Sequence, residues 1–216
     1  MVRSLVLAAL LALAVAGCTG DGDEAAVPVP SVGTTPDPTT PGPAASVADL
    51  SVPQSCDDVI PFTEVVRIVA VPLQGSTNRV YADDFPAESG RTARLTCQYG
   101  VRPAANGGDA PPPQVEIAVS GYVDEAAAAA RVEDTVGSAR SAGQQIESQA
   151  AAAQDGFLIA DAVGVTFVAA VGNGTLVVTL ARGVVPATAE RVVLLGLAET
   201  ALGVHDPTPT ATPAVT

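Results

Sequence analysis

TARLTCQYGV, residues 92–101, has the period of a strand with one buried side. Ala93, Leu95, Cys97, Tyr99 and Val101 fall on one face; Arg94, Thr96 and Gln98 fall on the other. An apolar face five residues long needs a layer to pack against, and the segments on either side supply helices and strands for it.

Upstream, SCDDVIPFTEVVRIVAV (55–71) places Phe62, Val65, Val66 and Val69 at i, i+3, i+4 and i+7, one side of a helix. Pro61 suits its first turn and Pro72 its end. Between this helix and the strand, Leu73–Gly90 reads as a loop of about 18 residues, long for a compact domain. Downstream, QVEIAVSGY (114–122) alternates again. DEAAAAARVEDTVGSARSAG (124–143) is rich in helix formers, with Asp124 as N-cap and Ala128, Val132 and Val136 as a narrow stripe. Residues 144–156 show no clear period, and FLIA (157–160) suits a short strand. GVTFVAAVGNGTLVVTLARG (164–183) reads as a hairpin turning at GNG. PATAERVVLLGLAETALG (186–203) reads as a helix from Pro186 to Gly203. The expected fold is α+β: an antiparallel sheet of four to five strands, packed with about three helices, in the order αββαββα.

The chain outside residues 55–204 has a different composition. Arg3, the apolar run LVLAALLALA and the small residues Val15-Ala16-Gly17 lead to Cys18, the layout of a secretory leader. The run is shorter than the roughly 20 residues that span a bilayer. VAGC matches a lipobox, so residues 1–17 are expected to be a lipoprotein signal peptide and Cys18 the lipidated first residue. An ordinary cleaved signal and an uncleaved anchor are the alternatives. Residues 19–54 hold seven prolines and no aromatic residue, the composition of a Pro/Thr tether. Such a segment reaches roughly 110 Å as a polyproline helix, or about 33 Å as a coil. The tail, 205–216, repeats this composition and is expected to be disordered. Both suit O-linked sugar on their threonines.

With Cys18 spent on lipid, Cys56 and Cys97 remain. In an oxidising compartment they are expected to form a disulfide, worth about 4 kcal/mol if unstrained. Two reduced, buried thiols are the alternative.

The chain carries 23 acidic residues against 10 basic ones, all arginine, a net charge of −13. Such a charge repels phosphate backbones, which excludes nucleic acid as a partner. It offers no polybasic patch to anionic lipid, so membrane contact falls to the anchor.

The inventory for catalysis is small. His205, at the edge of the tail, is the one histidine, and there is no lysine. A general base needs a fixed partner in a pocket, which a solvated tail residue lacks. No G-x-S-x-G elbow occurs. GNGTLV lacks the lysine of a phosphate loop, and DGDE (21–24) lacks calcium-loop spacing. The pairs Asp57-Asp58, Asp83-Asp84 and Glu133-Asp134 read as solvated charges, the first suited to a helix start. No catalytic residue, metal site or cofactor is expected. The best binding candidate is the Leu73–Gly90 segment, which gathers Arg79, Tyr81, Asp83, Asp84 and Phe85. Its rings either contact a partner or cap the edge of the core.

The lipobox, the Pro/Thr tether, CDDVI at the first helix, C-Q-Y on the first long strand and GYVDEAAAAA resemble small actinobacterial lipoproteins of unknown function. The two-cysteine layout is similar to that of the extracellular sensor domains of membrane-bound serine/threonine kinases. Pro61 and the acidic YADDF depart from the pattern. The resemblance implies lipid-anchored, extracytoplasmic, non-enzymatic work at the cell membrane. The expected function is a cell-envelope binding or accessory module whose partner is an envelope protein. The alternative is a carrier of a lipid or other small hydrophobic molecule in a cavity between sheet and helices.

Overall fold

The computed structural model describes residues 51–104 and 108–205. The expected signal peptide, Cys18, the tether up to residue 50 and the tail from residue 206 lie outside the described residues.

The described strands are β1 (Ser76–Ala82), β2 (Arg91–Val101), β3 (Val115–Tyr122), β4 (Gln145–Ala151), β5 (Gln154–Ala160), β6 (Gly164–Val171) and β7 (Gly174–Ala181). They form one seven-stranded antiparallel sheet in the order β1-β2-β3-β7-β6-β5-β4. The helices are α1 (Phe62–Val69), α2 (Glu125–Ser141) and α3 (Ala187–His205). The expectation of four to five strands in the order αββαββα is therefore wrong: the chain runs α1-β1-β2-β3-α2-β4-β5-β6-β7-α3.

Both missed strands are the edges of the sheet. β1 is exposed over its first five residues, and β4 buries only Ala151 fully. An edge strand wet on both faces has no reason to alternate, so its period is silent in the sequence. Pairing makes these strands. Arg79 lies opposite Cys97 and Tyr81 opposite Leu95; Ile146 lies opposite Ile159. Leu73–Gly90 is thus not one long loop. It contains β1 and a 3-10 turn, Ala87–Ser89. FLIA is the end of a full seven-residue strand, β5.

Helices cover both faces of the sheet. On the first face Leu95, Tyr99, Ile117, Phe167, Val178 and Leu180 pack with Val65 and Val69 of α1 and Leu194, Leu197 and Ala201 of α3. On the second, Ile159 and Val168 meet Val132, Val136 and Ala139 of α2. Strand β7 serves both, with Val178 in the first core and Val177 beside the second. Gly156 lets β5 and β6 close up, since a Cβ there would stand 2.7 Å from the Phe167 ring and from the Val168 carbonyl oxygen.

The helix ends follow local chemistry. Asp124 Oδ1 accepts from the Ala127 amide at 2.7 Å, capping α2. Pro61 is the extended N-cap of α1 and lies outside its first turn; Ala70, in the left-handed region at φ 57°, ends α1 before Pro72 is reached. Phe62, expected in the buried stripe, is exposed, and Ile68 packs against the core instead. α3 passes through Gly203 rather than stopping there.

Candidate functional site

The entry to the domain is pinned to β2. Cys56, in a 3-10 turn capped by Ser55, is joined to Cys97, with Cα atoms 5.7 Å apart. Two residues along β2, the Tyr99 hydroxyl donates to the Ile60 carbonyl oxygen at 3.0 Å. Burial, and then the charge of Asp57, push the Tyr99 hydroxyl up to a pKa of about 12. This is a disulfide-bonded domain whose N-terminal turn is clamped to an inner strand.

The residues singled out between Leu73 and Gly90 do not gather. Arg79 Nη1 donates to the Gln54 carbonyl at 2.5 Å. Tyr81 packs half-buried at the edge of the first core. Asp83 and Asp84 are exposed. Phe85 lies against the guanidinium of Arg91, 5.1 Å from the ring centre.

That arginine opens a site the sequence reading missed. On the second face, α2 buries its stripe over β5 and β6, while Val80 of β1 stays 54% exposed. Beside this open stretch, where α2 begins to cover the sheet, half-buried Arg91 lies against Phe85 and against the buried ring of Tyr122, whose centre is 5.6 Å away. Its Nη2 donates to the Tyr122 hydroxyl at 3.3 Å. Its Nε is buried with no acceptor among the described residues. Arg94 Nε donates to Thr96 Oγ1 at 3.1 Å. Burial, then the field of Arg91 and, more weakly, that of Arg131 on α2 lower the Arg94 pKa, with Glu116 and Tyr122 opposing. Glu116 Oε2 itself accepts from Gln98 Nε2 at 2.8 Å. Among the described residues no carboxylate forms an ion pair with Arg91, Arg94 or Arg131, whereas Arg67, Arg182 and Arg191 pair with Glu64, Glu190 and Glu147.

A second feature lies between the sheet and α3. Ile146, Leu158, Ala160 and Val165, with Glu147 and Arg191 at the rim, line an open cleft of about 440 Å3. Beside it, a depression is lined by Gln144, Asp161 and Arg182, whose polar groups bond to the chain itself. Asp161 accepts from Gln144 Nε2 and from the amides of Val163 and Gly164, and Arg182 joins the Asp161 carbonyl to buried Glu190.

Among the described residues no group of three or more His, Cys, Asp or Glu side chains is placed to hold a metal ion. No described helix is long and apolar enough to cross a membrane.

No protein-family model matches the chain, and no curated protein matches it. Among solved structures, the crystal structure of the extracellular domain of PknH from Mycobacterium tuberculosis shows a weak, partial likeness: TM-score 0.42 and 11% identity over 68% of this chain and 94% of that one.

Proposed function

We propose that this protein is a non-catalytic binding module, held at the extracytoplasmic face of a membrane by lipid on Cys18 and displayed on its Pro/Thr tether. The observation that carries the reading is the uncovered side of the second sheet face. Val80 is 54% exposed there, and half-buried Phe85, Arg91 and Arg94 stand on the same side, with Arg91 against both the Phe85 ring and the buried Tyr122 ring. Rings beside arginines are the side chains that contribute most where surfaces bind. The tether keeps the module near its target and so raises the target's effective concentration.

Photo-crosslinking in intact cells tests this. A photoreactive residue replacing Val80, on the uncovered face, is expected to give a discrete adduct. The same residue replacing Val192, 73% exposed on α3, is not. The same adducts from both positions, or none from Val80, would overturn the reading.

The carrier alternative is favoured by one feature, the apolar cleft between the sheet and α3, within the usual range of small-molecule sites. Native mass spectrometry of the full-length protein would then show a co-purifying lipid that Leu158→Trp displaces.

A further inference from the structure

We propose that the outer edge of β4 is a self-association site, where β4 of a second copy of this chain pairs antiparallel about a two-fold axis at Ser148 and the two sheets become one. The site lies at the far edge of the sheet from Val80 and does not rest on the binding-module reading.

The edge is straight and open. β4 pairs with β5 residue for residue, from Gln145 opposite Ala160 to Ala151 opposite Gln154, without a register shift. Its sequence, QIESQAA, holds no proline, glycine or lysine and one charge, Glu147. Ser148 and Ala150 are exposed and Ile146 is half-buried. Gln145, Ile146 and Glu147 border one open cleft, and Ser148, Gln149 and Ala150 border another. Folded proteins ordinarily blunt such an edge with a bulge, a charge or a covering segment. The opposite edge, β1, has these devices: its register shifts between Ser76 and Asn78, and Arg79 holds the Gln54 carbonyl. Pairing β1 with its own copy about Arg79 would also set arginine against arginine, which is unfavourable.

The backbone supplies the register. Ala151 and Gln154 flank a two-residue turn whose central residues both have positive φ, so they form a hydrogen-bonded pair. Such pairs alternate along an antiparallel ladder. The amides and carbonyls of Gln145, Glu147, Gln149 and Ala151 therefore face β5, and those of Ile146, Ser148 and Ala150 face outward. Among the described residues no other strand or loop backbone bonds to these outward groups. A two-fold at Ser148 places Ser148 opposite its copy and Ile146 opposite Ala150 of the second copy. Every outward amide then meets an outward carbonyl.

The side chains agree with that register. Glu147 falls opposite Gln149 of the second copy, and no like charges meet. In the single chain Gln149 Nε2 donates to the outward Ala150 carbonyl at 2.7 Å. Pairing gives that carbonyl to an Ile146 amide and frees the Gln149 amide for Glu147, a charge-assisted bond. Arg191 already holds both Glu147 and Gln149, so little side-chain freedom remains to be lost.

Disulfide trapping in the full-length protein, in native membranes and in non-ionic detergent, tests the register. The Cα atoms of a hydrogen-bonded pair stand about 5.5 Å apart, a distance a disulfide spans. Ser148→Cys is therefore expected to give a cross-linked dimer under mild oxidation. Gln145→Cys would lie about 20 Å from its copy and is expected to give none, as is Asn78→Cys on β1. In the Ser148→Cys background, Ala150→Pro removes an outward amide and spares the β5 ladder. It is expected to lower the trapped fraction about tenfold. Ala150→Lys keeps the amide but sets a charge beside Ile146 of the second copy, and is expected to act in the same direction. Both are checked for native circular dichroism. No dimer from Ser148→Cys, as much dimer from Gln145→Cys or Asn78→Cys, or unchanged trapping in both Ala150 variants would overturn the proposal. So would adducts of Ser148→Cys with another envelope protein in place of its own copy, which would assign the edge to a different partner.

Discussion

The Tyr99 hydroxyl reaches back 39 residues to the carbonyl oxygen of Ile60, 3.0 Å away and buried. With the Cys56–Cys97 bond it fastens the segment before α1 to β2. Tyr99→Phe is expected to cost about 1 kcal/mol in urea unfolding, because it leaves a buried carbonyl without its donor.

The same hydroxyl sets an alkaline limit. Its folded pKa is raised from 10.0 to about 12 by burial and by Asp57. Below pH 10 both folded and unfolded chains keep the proton, and the contribution to stability is whole. As pH rises from 10 towards 12 the unfolded chain ionises first, and that contribution is lost. Ultraviolet titration of tyrosinate should show a late-ionising component that is lost in Tyr99→Phe, and the variant should lose less stability across this window.

Reducing the disulfide removes a cross-link spanning 41 positions. The expected loss is up to about 4 kcal/mol. Denaturant midpoints with and without reductant measure it, and an unchanged midpoint would show that the bond contributes nothing.

The β4–β5 turn holds Ala152 and Ala153 at φ 46° and 63°. Alanine is strained there, whereas Asn-Gly prefers this conformation at both central positions. Ala152→Asn with Ala153→Gly should stabilise the domain by about 1 kcal/mol, read as a higher melting temperature.

Tyr81 and Phe85 should separate on mutation. Tyr81→Ala removes a ring from the edge of the first core and should cost about 2 kcal/mol. Phe85→Ala removes the contact with Arg91, worth about 0.5–1 kcal/mol, and should reduce the Val80 adduct more than it reduces stability.

Membrane attachment should depend on one sulfur atom. Cys18→Ala is expected to abolish palmitate labelling and normal maturation of the precursor; equal labelling of both proteins would refute the lipid anchor.

What the sequence determined by itself was local and periodic. Strands β2 and β7 alternate in burial, with one face fixed in a core, while β3 and β6 are buried at most positions on both faces and were legible from their apolar residues. The Asp124 cap was legible from one residue and its place before a helix-forming run. Tertiary structure decided the edges, the covering and the candidate site. β1 and β4 became strands only through a neighbour's hydrogen bonds, since wet edges leave no hydrophobic period. Arg91 and Arg94 came to one face only through a slipped register. Spacing along a chain records which way a side chain points in a regular element; it does not record a bulge or a neighbour brought close by packing.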